Sequence, residues 1–165
     1  MSHQKDFIAF ILIPLVIFIA SIDITFAGER VKGYATSVTT KWIQMDISDV
    51  DGHVIAIYEA KQVWFDSKTN EESTAVSNGI LDTNFQTGVG SVTGYAVRTF
   101  KNGEKIYSKY EGKPVGEGQT EGTFIYTGGT GKFIGLKGGG TWKNRTLARG
   151  ITYSESEGER EYQMK

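Results

Sequence analysis

Residues 121–142 read EGTFIYTGGTGKFIGLKGGGTW. From Gly122 to Thr127 the positions alternate as they do along a β-strand. The alternation stops at Gly128-Gly129-Thr130-Gly131, resumes over 132–136, and stops again at Gly138-Gly139-Gly140. This spacing predicts two strands around a tight turn, with a third beginning after the glycine triplet. Glycine is needed where φ is positive or where another backbone lies too close for a Cβ, so its density here points to sharply bent, coiled sheet.

The rest of the chain beyond residue 30 also reads as β. Residues 31–46 (VKGYATSVTTKWIQMD) and 53–65 (HVIAIYEAKQVWF) flank the turn signal Asp51-Gly52 and predict a first hairpin. Residues 66–74 are polar and predict an exposed loop, while 75–90 fit either a short strand or an irregular connection. Residues 92–100 predict a strand, Asn102-Gly103 a hairpin turn, and 104–110 the returning strand. Residues 113–118, with Pro114, predict a surface crossing. Residues 147–154 close the sheet, and the charged end, 155–165, extends that last strand.

About seven to nine short-spaced, hairpin-linked strands imply a sandwich or a closed barrel. Closure is favoured, because both faces carry sizeable side chains and glycines recur at Gly33, Gly94, Gly135 and Gly150, giving the bends a small barrel needs. Such a barrel either fills its lumen with side chains or keeps one ligand-sized cavity.

Composition narrows the function. A chain of 165 residues with 39% hydrophobic and 22% charged content suits one globular domain. The formal net charge of -1 provides no basic field to hold nucleic acid. Cysteine is absent, which removes disulfides, thiolate metal sites and a cysteine nucleophile together. Of the two histidines only His53 lies beyond the N-terminal segment, beside a turn, with no metal-ligand spacing around it. Gly131-Lys132 sits in a glycine run, but a phosphate-binding loop needs Ser or Thr after the lysine and then a helix, whereas Phe133 follows here. No G-x-S-x-G elbow is present. No cofactor and no metal are expected.

Residues 1–27 differ from the remainder. Residues 7–22 (FIAFILIPLVIFIASI) are unbroken by charge, follow Lys5, and precede Thr25 and Ala27, a plausible cleavage site before Gly28. The apolar run is shorter than the about 20 residues that span a bilayer, so it suits a secretory signal, with an uncleaved anchor as the alternative. Residues 28–165 are then the barrel domain, secreted, periplasmic or otherwise extracytoplasmic, with membrane contact only through the N-terminal segment. Asn144-Arg145-Thr146 fits a glycosylation acceptor.

Thr127, Gly128, Gly129, Thr130, Gly131, Phe133, Gly135 and Gly138 follow the pattern T-G-G-T-G-x-F-x-G-x-x-G. In this the segment resembles the allene oxide cyclase and dirigent-like barrel superfamily. The resemblance implies an all-β, single antiparallel eight-stranded barrel, allene oxide cyclase-like or calycin-like, with the segment on two neighbouring strands. Plant members of that superfamily are cyclases or guides of phenoxy-radical coupling. None of their active-site residues maps onto this chain, and the lack of cysteine departs from the plant cyclases.

The candidate ligand site rests on aromatic residues in predicted strands. Tyr58 and Trp64 share a strand face, Tyr126 lies with Phe124, and Trp142 lies with Gly138 and Gly140. Arg98 shares a face with Val92, Gly94, Ala96 and Phe100, unlike a solvated arginine, and Glu59 shares one with Ile57. Tyr58, Glu59, Trp64, Arg98, Tyr126 and Trp142 are therefore the expected ligand-binding residues, with Arg98 or Glu59 as the buried polar group that orients a ligand. Three functions follow: a non-catalytic barrel that binds a small apolar or acidic ligand or a partner, a cyclase, isomerase or dirigent-type cavity that constrains a reactive substrate, or a structural barrel filled by its aromatics. Homo-oligomerisation is left open by the sequence.

Overall fold

Period-two alternation decides which residues face inward. On one strand Ser73, Ala75, Ser77 and Gly79 are buried while Thr74, Val76, Asn78 and Ile80 are exposed. This is the pattern of a sheet with one covered face. The computed structural model describes residues 26–163, and every strand in it has such an inner face. The strands are β1 (Phe26–Asp46), β2 (His53–Asp66), β3 (Glu72–Asn84), β4 (Val89–Phe100), β5 (Lys105–Gly116), β6 (Gln119–Gly129), β7 (Lys137–Ala148) and β8 (Ile151–Gln163). Each pairs antiparallel with the next, and β8 returns to β1, so the sheet closes into an eight-stranded barrel without edges.

Several expected elements change. Residues 75–90 are neither irregular nor a short strand: β3 runs unbroken to Asn84 and pairs along its whole length with β2 and β4. Residues 113–118 are not a crossing, because β5 continues through Pro114 to Gly116 before a tight turn into β6. Residues 132–136 do not form a strand. They follow a single 3-10 turn, Gly131–Phe133, and the sheet resumes only at Lys137. The charged end does extend β8 as far as Gln163. The hydrophobic segment 1–25 lies outside the described residues.

Strand glycines are seats for rings. Tyr58, Gly79, Gly94 and Tyr110 occupy one row across β2 to β5. A Cβ on Gly79 would lie 2.7 Å from the Tyr58 ring, and one on Gly94 would overlap Tyr110. One row along, Gly112 and Gly122 face each other and Trp142 lies across both. Gly33 leaves the space that Trp64 fills. The chain thus exchanges strand propensity at these positions for inner-wall area covered by aromatic faces.

The two ends of the barrel differ. At one end Phe100, Ile106, Phe133 and Leu136 form the buried apolar cluster, with Tyr126 packed against it. Phe133 and Leu136 come from the 130–136 loop, so the glycine-rich stretch that indicates the fold is also the plug of the barrel. Burying two such side chains stabilises by about 1.5–3 kcal/mol each. Gly131 has φ +57°, and the Glu104 carboxylate accepts a hydrogen bond from the Lys132 N–H at 2.9 Å, which pins the loop to the β4–β5 turn. The opposite end, with the turns at 47–52, 85–88, 117–118 and 149–150, has no such cluster.

Candidate functional site

A cavity of about 1090 Å3 runs from the unplugged end into the barrel, near the upper limit of about 300–1,000 Å3 usual for small-molecule sites. Its mouth is formed by residues 84–88 and 114–120. The lumen is therefore not filled by its aromatics, unlike the filled barrel expected as one alternative.

Five of the six expected site residues meet in this cavity. Tyr58, Trp64, Arg98, Tyr126 and Trp142 all line it. Glu59 does not, and that expectation is corrected. Ala56, Tyr58 and Ala60 take the inner face of β2, so Ile57 and Glu59 are outside. There Glu59 accepts hydrogen bonds from Lys41 Nζ at 2.9 Å and from Thr40 Oγ1 at 2.7 Å, beside the bulge between Thr39 and Lys41. Those donors hold its carboxyl below the usual range. Tyr95 on β4 faces solvent. Asn144 lines the cavity beside Thr120 at its mouth.

Arg98 lies toward the plugged end. Its Nε donates to Ser73 Oγ at 2.6 Å, and its guanidinium lies 4.0 Å from the centre of the Trp64 ring and 4.7 Å from that of Phe100. Among the described residues no carboxylate is within ion-pair distance of it. Burial, and after it the charge of Arg160, lowers its pKa to about 10, so it remains a cation at neutral pH. Arg160 is buried behind the plug, its Nη2 3.3 Å from Glu29 and its Nε without a hydrogen-bond partner. Of the two arginines only Arg98 lines the cavity, and the charges of Asp66 and Glu71 partly offset the effect of Arg160 on it.

Sequence reasoning missed three parts of the wall. Tyr110 faces Tyr58, with hydroxyl oxygens 2.7 Å apart, and burial raises the pKa of both phenols. Ser37 and Thr152 form a hydroxyl pair, and Gln62 donates to Ser77 Oγ at 3.1 Å. The third is the inner face of β8, where Ser154 and Ser156 line the cavity. The lumen is therefore lined by aromatic rings and hydroxyls, with Arg98 at its base. Glu117 and Glu155 are its only lining carboxylates among the described residues, and no histidine lines it.

No family model matches this chain, and no curated protein does. Solved structures share its architecture. The pterocarpan synthase dirigent protein GePTS1 superposes with a TM-score of 0.55 at 13% identity, over 86% of this chain and 93% of that one. The pterocarpan synthase dirigent protein PsPTS1 gives 0.52 at 12% identity, over 86% and 97%. The fold is a dirigent-like eight-stranded barrel. At such identities the likeness establishes the fold alone.

Proposed function

We propose that the protein binds a small aromatic or apolar molecule bearing an acidic group inside its barrel, with the anion toward Arg98. The observation that carries this is a partly desolvated guanidinium, without an ion-pair partner among the described residues, at the base of a large aromatic-lined cavity. A buried cation held by one hydroxyl and two ring faces gains most from an anion that brings its own apolar body. The lining supports binding and orientation more than acid–base catalysis, since its phenols stay neutral and its two carboxylates, Glu117 and Glu155, are both exposed.

All three tryptophans line the cavity, so their fluorescence is a direct probe. Titration with phenolic acids and fatty acids should show saturable binding in the native protein. Arg98→Met should weaken it at least about tenfold, and Arg98→Lys less. Equal binding by native protein and Arg98→Met would refute the role of the charge.

A second reading, a cavity that constrains a reactive substrate as a dirigent or cyclase-type barrel would, is favoured by the dirigent-like fold. It is tested by oxidising a phenol with a one-electron oxidant in the presence of the protein. An isomer distribution identical to the protein-free control would remove it. The protein is also proposed to be exported through residues 1–27. Mass spectrometry of exported material should then show an N-terminus near Gly28, two residues into the β1–β8 ladder, and recovery of the intact Met1 form from membranes would favour an anchor.

A further inference from the structure

Midway along the cavity two phenols meet tip to tip. Tyr58 reaches from β2 across Gly79, Tyr110 reaches from β5 across Gly94, and the two glycines are themselves paired across β3 and β4. The rings therefore lie along the wall, and their hydroxyl oxygens are 2.7 Å apart. Each hydroxyl carries one proton and two lone pairs, so the contact between them uses one proton of two. Neither has any other hydrogen-bond partner among the described residues. Burial keeps both phenols protonated well beyond neutral pH. One O–H is thus unspent and available to the lumen, and because its own oxygen accepts from its neighbour it is a polarised, stronger donor.

We infer that the Tyr58–Tyr110 couple is a second ligand-recognition point, which donates one hydrogen bond to a neutral acceptor oxygen on the bound molecule. The inference rests on the lumenal anion-binding reading and deepens it by fixing the ligand's shape. Gly94 marks the level of the couple and Arg98 lies four residues further along β4, which is about 13 Å of strand. The preferred ligand therefore carries its acidic group at one end of an elongated aromatic body of about two rings and a carbonyl or similar acceptor at the other.

The test uses two rigid acids that differ only at the far ring, biphenyl-4-carboxylic acid and 4'-acetylbiphenyl-4-carboxylic acid. Tryptophan fluorescence gives the affinity of each for the full protein and for Tyr58→Phe, Tyr110→Phe and the double variant. These changes keep the rings over their glycines, and circular dichroism checks that each variant keeps the barrel. Native protein should bind the acetyl compound about tenfold more tightly than its parent, and the double variant should bind the two alike at the affinity of the parent. Each single variant should reduce the ratio, because removing either hydroxyl breaks the couple. A ratio near one in the native protein, with binding still lost in Arg98→Met, would overturn the couple while leaving the anion site intact. A native preference that survives in the double variant would overturn it as well. Failure of native protein to bind either acid would sink both readings.

Discussion

The guanidinium of Arg98 lies over Trp64, 4.0 Å from the centre of its ring, and Trp64 occupies the volume that any side chain at residue 33 would need. A glycine on β1 thereby fixes the position of a cation on β4. The chain of contacts is short: no Cβ at Gly33, a ring against the wall, and a face presented to Arg98.

Gly33→Ala should therefore destabilise by about 1–3 kcal/mol through overpacking against Trp64 and the Phe65 carbonyl, and should disturb the tryptophan emission. In a Trp64→Leu background the same change should cost less, because the ring that it displaces is gone. Chemical denaturation of the four proteins closes a double-mutant cycle, and additive effects would refute the coupling.

The Gly131→Val variant tests the plug loop. Gly131 sits at φ +57°, and its missing Cβ makes room for the Glu104 carboxylate that accepts from the Lys132 N–H. Valine adds backbone strain and displaces that carboxylate, so the loss should be about 1–3 kcal/mol. An unchanged melting temperature would mean the loop is not held in this conformation.

The sequence makes the barrel legible because turn glycines and strand alternation are local signals. Asp51-Gly52 and Asn102-Gly103 mark real hairpin turns, with both glycines at positive φ. The face of Arg98 is readable too, since Gly94 and Ala96 share it. Which face of β2 turns inward is not readable, because Ile57 and Glu59 outside look as apolar or as functional as Tyr58 and Ala60 inside. Only closure of the sheet decides between them. Residues 132–136 mislead because Phe133 and Leu136 supply the apolar spacing of a strand while serving as a plug. The inner face of β8 is the opposite case, a signal left unused. In 154–161, SESEGERE, glutamates alternate with Ser154, Ser156, Gly158 and Arg160, which places the small residues and one arginine inside.

Phe133 and Leu136 are each almost fully buried in the apolar cluster that seals one end. Phe133→Ala should cost about 3–5 kcal/mol and Leu136→Ala about 2–5 kcal/mol, read from urea unfolding. Phe133 also stacks on Phe100, with ring centres 4.9 Å apart, and Phe100 borders the Arg98 guanidinium. Its loss should therefore weaken binding of acidic ligands as well as stability. A Phe133→Ala protein with native stability would show that the plug does not hold the end closed.

At the open end, His53 should make stability depend on pH. Its Nε2 lies 2.8 Å from Asp82 and its Nδ1 2.7 Å from Asp49, so both ring nitrogens face carboxylates and the imidazolium is favoured. The hydrogen bonds to Asp82 and then to Asp49 raise its pKa above the ordinary 6.5, and the bond from His53 lowers that of Asp49 below 3.8. A histidine raised by folding contributes stability that is fully present below 6.5 and is lost as pH rises through the folded value. An aspartate lowered by folding contributes above 3.8 and loses that contribution as pH falls through its folded value. The combined contribution is thus greatest between those two ordinary values. The same bridge ties the 47–52 turn to β3, and Asn84 Nδ2 donates to the Asp51 carbonyl at 2.8 Å beside the cavity mouth. Melting temperatures of the native protein and of His53→Gln should therefore differ most near about pH 5.5 and converge toward about pH 8.5. A difference that stays constant over that range would show that His53 is held by packing and not by its charge.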